Sequence, residues 1–211
     1  SEGIDYREEN FAPFEYFLSK LNPGKVKIHI WINALYVWSK RTQPQNPGHI
    51  FYNKDSFVMN KYGENILDYN IDKLKTMGID GYFLDPSEPQ TQDYIKSVVN
   101  EILKKYGEKI DGIHLDFIRY PSPEFRYNYY SVRNFIEKYD FNPLKLKDND
   151  TAKLSMWDKW CESKVTDIVE DTKKILTNHK EKKIILSVAV KPDYREARVR
   201  YSQNWVEWID K

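Results

Sequence analysis

The sequence predicts an α/β fold of the TIM-barrel (β/α) type, present as an incomplete, middle portion of a (β/α)8 barrel. Three observations carry this. Strand-like runs at residues 25–33, 110–117 and 182–190 alternate with helix-length segments, which implies parallel strands joined by helical crossovers. An open doubly wound sheet or a barrel both fit that alternation. No Gly-rich phosphate loop follows any of the strands, which weakens the nucleotide-binding open sheet. The strand ends carry Asn33, Asp116 and Lys191, and polar residues at the C-terminal ends of several strands are what a barrel site requires. A complete barrel takes about 250 residues, so three or four strands make roughly half of one.

Each element has its own warrant. Residues 11–21 read as a short helix closed by Asn22-Pro23-Gly24. Residues 25–33 alternate polar and apolar, a strand signal. Residues 40–61, rich in Pro, Asn and Gln, predict a long loop. Residues 65–77 predict a helix, and 79–84 a short strand or extended piece ahead of a turn at 85–89. Residues 90–106 predict a helix with Tyr94, Val98, Ile102 and Tyr106 on one face. Residues 110–117 form the second strong strand, followed by a loop at 118–123 and a helix at 124–139. A polar connection leads to a long helix over 154–179 and the third strand, 182–190. A last helix is expected over 201–211. The chain begins without Met and stops inside an amphipathic pattern, so residues 1–211 are expected to be one domain excised from a longer protein.

Composition excludes several functions. Lys plus Arg is 33 and Asp plus Glu is 32, a net charge of +1. A protein that neutralises many phosphates usually carries a basic excess, so no nucleic acid partner is expected. No apolar run approaches the roughly 18 residues of a membrane span. A single cysteine, Cys161, rules out an intrachain disulfide framework and a multi-cysteine zinc site. The aromatic content is high, 15%, with 16 Tyr and 6 Trp. Such rings serve as core or as flat platforms for ligands such as sugars.

The chemistry sits on the strands. Side chains alternate faces, so Ile113, Leu115 and Phe117 share an apolar face. Gly112, His114 and Asp116 share the other, with His114 about 6.6 Å from Asp116 along the strand. Asp116 then stands at the mouth of a barrel. Asp111 is about 16 Å back and of opposite parity, a turn or strand-start residue. On the first strand His29, Trp31 and Asn33 share one face, and on the third Ser187, Ala189 and Lys191. Asn33 and Lys191 are suitable donors to sugar hydroxyls. Arg119 is expected to clamp Asp116 in an ion pair. Trp31, Tyr36, Trp38 and Tyr120 are candidate platforms for sugar faces. A metal site built from His29, His114 and Asp116 lacks a His-x-His or Glu-x-x-His spacing, so no metal and no cofactor are expected.

The run Asp111-Gly-Ile-His-Leu-Asp-Phe-Ile-Arg-Tyr-Pro121 resembles a motif of glycosyl-hydrolase-like family 10, bacterial proteins regarded as glycoside hydrolases with a (β/α)8 barrel. The His-Ile-Trp-Ile-Asn run at 29–33 is similar to that family's His-Ala-Trp-x-Asn strand. Gly81-Tyr-Phe-Leu-Asp-Pro-Ser-Glu-Pro89 is similar to its Leu-Asp-Pro-x-x-Pro segment, and residues 186–190 to its next strand. Tyr201-Ser-Gln-Asn-Trp205 is similar to its Gln-Asp-Trp segment, with Asn204 where the family pattern has Asp.

The resemblance implies a glycoside hydrolase acting on an oligo- or polysaccharide, with envelope glycan one option and a cell-envelope or extracellular address. It makes Asp116 the first catalytic candidate, as nucleophile or base. Glycoside hydrolysis usually needs two carboxyl groups. Asp85 is the second candidate, with Glu88 and Asp193 also near strand ends or loops. Asp85 before Pro86 also fits a simple turn. Substrate-binding candidates are His29, Trp31, Asn33, Tyr36, Trp38, His114, Arg119, Tyr120 and Lys191. Three alternatives stay open: a non-catalytic carbohydrate-binding barrel, a metal-dependent barrel hydrolase in which the His29 and His114 nitrogens converge, and a structural fragment inactive by itself.

Overall fold

The structure is a computed structural model and describes residues 12–21 and 25–209. In chain order, α1 (Pro13–Lys20) precedes β1 (His29–Asn33) and β2 (Tyr36–Trp38). Then α2 (Ile71–Thr76), β3 (Tyr82–Phe83) and α3 (Pro89–Tyr106) lead to β4 (Gly112–Asp116). Next α4 (Tyr129–Tyr139) and α5 (Thr151–Asn178) lead to β5 (Ile185–Val188), and α6 (Tyr194–Tyr201) and α7 (Trp205–Ile209) follow.

The fold is mixed α/β. Strands β1, β4 and β5 form a parallel sheet in that spatial order. Helical crossovers join them, as parallel neighbours require. The register sets Trp31 beside His114, Asn33 beside Asp116 and His114 beside Ser187. One face is apolar and carries the core: Ile113 and Leu115 are fully buried beneath the helices. Each such side chain contributes roughly 1.5–3 kcal/mol by leaving water. The other face, with His29, Trp31, Asn33, His114 and Asp116, is the more open one. The described residues do not close a barrel.

Asp111 ties the three strands together at their N-terminal ends. Its carboxylate accepts the Ile28 N–H at 2.9 Å and pairs with Lys27 at 3.3 Å and Lys182 at 3.1 Å. The Ile28 N–H, then Lys182 and Lys27, hold its carboxyl down at about 2.

Several elements differ from the sequence expectation, each for a local reason. The loop at 40–61 contains 3₁₀ turns at Ile50–Tyr52 and Lys54–Ser56. The helix expected over 65–77 is split into a 3₁₀ turn, Ile66–Asp68, and α2. Asn65 and Asn70 each cap a fresh start, Asn70 by accepting the Lys73 N–H at 2.8 Å. The piece at 79–84 is a two-residue strand that pairs antiparallel with β2 and stays outside the parallel sheet.

In α3 the buried stripe is Thr91, Ile95, Val99 and Leu103, not the expected Tyr94, Val98 and Ile102. Thr91 turns inward because its hydroxyl finds the Ser56 carbonyl at 3.3 Å. Helix α4 starts at Tyr129 rather than 124 because Asn128 caps it. That side chain accepts the Tyr130 N–H at 2.8 Å and donates to the Asp55 and Phe57 carbonyls. Within the last expected helix, 201–211, α7 covers Trp205–Ile209, and α6 ahead of it is a helix that the sequence reading did not include. Asp193 caps α6 through the Glu196 N–H, and Ser202 at φ 56° ends it. The expected stop at Asn22-Pro23-Gly24 and the final residues 210 and 211 lie outside the described residues.

Candidate active site

The open face of the parallel sheet carries a short row of rings and polar groups. His29 lies directly over Gly112, where an added Cβ would meet the imidazole at 2.4 Å. This close approach is what the glycine provides. The Trp31 ring meets His114 edge-on, with centroids 5.0 Å apart, and its indole N–H donates to Asn33 Oδ1 at 3.3 Å. His114 Nδ1 is 2.9 Å from the Ser187 hydroxyl. Trp31 remains 65% exposed, so one flat ring faces solvent beside these donors.

Asp116 ends β4. Its Oδ1 accepts the N–H of Phe117 at 2.7 Å, and its carbonyl accepts the Ala34 N–H at 2.8 Å. Phe117 sits at φ 51°, the left-handed region that a bulky residue avoids. Such a conformation costs on the order of 1–3 kcal/mol and must be held by its surroundings. The holding contacts are a stack on Tyr36, with centroids 4.6 Å apart, and an edge contact with Phe83 at 5.9 Å. The backbone therefore turns sharply just where the Asp116 carboxylate emerges.

In front of Asp116 is a pocket of about 240 Å³, lined also by Asp80, Arg119, Lys191 and Gln203. Arg119 is buried and does not clamp Asp116 as expected. Its guanidinium pairs with Asp80 Oδ2 at 3.0 Å, donates to the Tyr120 carbonyl at 3.3 Å and lies against the rings of Phe83, Phe117 and Tyr201. Gln203 is fully buried and binds three backbone groups. It donates to the Ile118 and Ala189 carbonyls at 3.3 and 3.2 Å and accepts the Lys191 N–H at 3.1 Å. It thereby joins the segments that follow β4 and β5. The Lys191 ammonium lies 5.0 Å over the Tyr201 ring.

The remaining expected residues stand elsewhere. Tyr120, expected as a stacking platform, is fully buried and offers no face to a ligand. Its hydroxyl donates to Asp85 Oδ1 at 3.4 Å, and burial pushes its own pKa well above the usual value. Asp85 is also fully buried, accepts the Ser87 N–H at 2.8 Å and lines no part of the Asp116 pocket. Burial raises its carboxyl to about 6. Trp38 is half-buried, donates to the Thr42 carbonyl at 2.7 Å and packs edge-on against His49 and Phe51. Tyr36 is half-buried and spends its ring on Phe117. The His29 ring lies over Gly112, whereas the His114 ring meets Ser187 and Trp31. Among the described residues no group of three His, Cys, Asp or Glu side chains is arranged to hold a metal ion.

Sequence reasoning missed Asp80 and Gln203. Asp80 reaches the pocket because the segment entering β3 returns toward the end of β4, which no local spacing signals. For Gln203 the signal was its family-like Gln-x-Trp setting, and its role appears only when its three backbone partners converge. Asn204, beside it, accepts from the Tyr194 hydroxyl at 2.7 Å and donates to Glu207 at 3.0 Å, so it works within the last two helices.

A family model described as Glycosyl hydrolase-like 10 matches residues 57–211. That span includes Asp80, Asp116, Arg119, Lys191 and Gln203 and begins after β1. Proteins named Glycosyl hydrolase DigH from Escherichia coli strain K12, Escherichia coli O157:H7 and Shigella flexneri are each 28% identical over 119 residues. The matched stretch covers 56% of this chain and 25% of each relative. The chain thus spans about a quarter of the length of the curated relatives it matches. No helix among the described residues is long and apolar enough to cross a membrane.

Proposed function

Because the chain belongs to the glycosyl hydrolase-like 10 family, we propose that it forms part of a glycoside hydrolase acting on a polysaccharide or cell-envelope glycan. In this reading residues 1–211 are a single catalytic-type unit, and the parallel sheet is the middle of a (β/α)8 barrel. The open face of β1, β4 and β5 then corresponds to the lumen, with Asp116 at the C-terminal mouth.

One observation carries the proposal. Asp116 lines a pocket that a second carboxylate, Asp80, also lines. Glycoside hydrolysis uses one carboxyl group to protonate the leaving oxygen. The other attacks the anomeric carbon or deprotonates the attacking water. A sphere of the pocket's volume is about 8 Å across, on the scale of the roughly 5–9.5 Å separations such pairs use. Asp116 is the nucleophile or base in this account. Asp80 takes the place as partner that Asp85, buried beside Tyr120, is poorly set to fill. Trp31 offers a stacking surface for a sugar ring. Asn33, His114 and Lys191 supply hydrogen bonds to hydroxyls.

The ion pair of Asp80 with Arg119 favours a second reading, a carbohydrate-binding barrel without catalysis. With Asp80 committed to Arg119, Asp116 is left as the pocket carboxylate without an ion pair among the described residues. A hydrolysis screen over a glycan library separates the two readings. The catalytic account expects reducing ends to appear with wild type and to disappear with Asp116→Asn, while glycan binding persists. Binding without any hydrolysis supports the second reading.

A further inference from the structure

A second cavity, of about 590 Å³, shares no lining residue with the Asp116 pocket. It lies where α4 faces the start of α3 and the 3₁₀ turn at Lys54–Ser56. Val132 and Ile136 give it an apolar floor, and Tyr129 and Tyr130 stand on its wall. Tyr129 is 69% exposed, so its ring is open to a ligand.

Two carboxylates also face this space, and neither side chain makes a hydrogen bond or ion pair among the described residues. Glu88 occupies the N-cap of α3 but accepts no capping hydrogen bond. The Asp55 side chain makes no hydrogen bond or ion pair among the described residues. Burial, and then the Asp55 charge, raise the Glu88 carboxyl above its ordinary value, while Arg133 opposes them. Arg133 itself is held 3.8 Å from Glu137 and lies over the Tyr130 ring. Three carboxylates therefore line the cavity against one guanidinium.

We propose that this cavity binds a sugar ring carrying a protonated amine, such as a de-N-acetylated amino-sugar unit of a glycan. The amine sits between Glu88 and Asp55 as a charge-assisted hydrogen-bond donor, and it relieves their mutual repulsion. The apolar face of the ring lies on Tyr129, and the adjacent cation is attracted to the aromatic faces. The sugar part rests on the glycan reading of the chain. The preference for a cation rests on the cavity alone.

The test titrates the whole chain with a chitosan tetramer and with the fully N-acetylated tetramer, following tyrosine ring signals by NMR. The chitosan tetramer is expected to shift the Tyr129 and Tyr130 signals. It should bind at least about tenfold more tightly than the N-acetylated form, as expected for a bond to a charged group. Glu88→Gln and Tyr129→Ala should each weaken it by a similar factor, while Asp116→Asn leaves it unchanged. Equal affinity for the two tetramers, full retention by Glu88→Gln, or no binding by either tetramer overturns the proposal. Loss of binding in Asp116→Asn assigns the ligand to the other pocket and also overturns it. An inactive chain that still binds the cationic tetramer removes the hydrolase reading and leaves this one standing.

Discussion

Arg119 is bonded to Asp80 across 3.0 Å and not to Asp116, three residues before it in the chain. The guanidinium is buried among three aromatic rings, whereas the Asp80 side chain is more than half exposed. The two partners should therefore respond unequally to substitution. Asp80→Asn removes the charge of the half-exposed partner but keeps an amide oxygen as acceptor for the buried guanidinium, and it is expected to cost about 1 kcal/mol. Arg119→Lys loses the planar stack and the fork of donors, at about 1–3 kcal/mol. Denaturant titration of both variants checks the order, and equal losses contradict it. In the hydrolase account Asp80→Asn nevertheless lowers turnover at least about tenfold, as loss of a group acting in acid–base chemistry does.

Asp111 gives the fold an acid-sensitive tie. Its carboxyl is held at about 2 in the folded chain, below its unfolded value near 3.9. The folded state therefore gains stability that is complete above about pH 5 and is lost as pH falls through about 2. With one side of the group near solvent, the gain is about 1–2 kcal/mol. Asp111→Asn should lose that amount at pH 7 and flatten the acid limb of the stability curve. An unchanged acid limb in thermal melts from pH 2 to pH 5 contradicts the assignment.

Asp85 acts in the opposite sense. Its folded carboxyl is raised to about 6 by burial, so the folded state binds more protons than the unfolded state between about pH 4 and pH 6. Its contribution falls as pH rises through that window and then levels off. Asp85→Asn removes the titration. The melting temperature of the variant relative to wild type should thus climb from pH 4 to pH 7. A flat difference across that range shows that the group does not titrate there.

Gly112→Ala tests the open face. The new Cβ would stand 2.4 Å from the His29 ring, which is exposed and free to swing away. The fold should lose no more than about 1–2 kcal/mol, since an exposed side chain yields more easily than a packed one. The His29 ring resonances should shift. If the row of His29, Trp31 and Asn33 meets a glycan, affinity for it falls as well. Unmoved His29 signals rule out the close approach of His29 to Gly112.

The parts of this account that were legible in the sequence are those governed by short-range periodicity. The two-residue alternation in Gly112–Asp116 separated Ile113 and Leu115 from His114 and Asp116, and the burial pattern follows it. The same rule failed one residue later. Phe117 is in the left-handed region, so alternation carries no information past Asp116, and Tyr120 turns into the core. The partner of Arg119 was hidden because Asp80 arrives from 39 residues earlier, on a segment outside the parallel sheet. In α3 the stripe was displaced by one position because a threonine satisfied its hydroxyl inside, which a purely apolar pattern does not anticipate.

The most direct measurement compares reducing-end release from a glycan library by wild type and by Asp116→Asn at matched stability. The account predicts that at least one glycan is cut by wild type and that the variant cuts it at least about a hundredfold more slowly while still binding it. Equal rates for the two proteins would contradict the central claim and take Asp116 out of the chemistry.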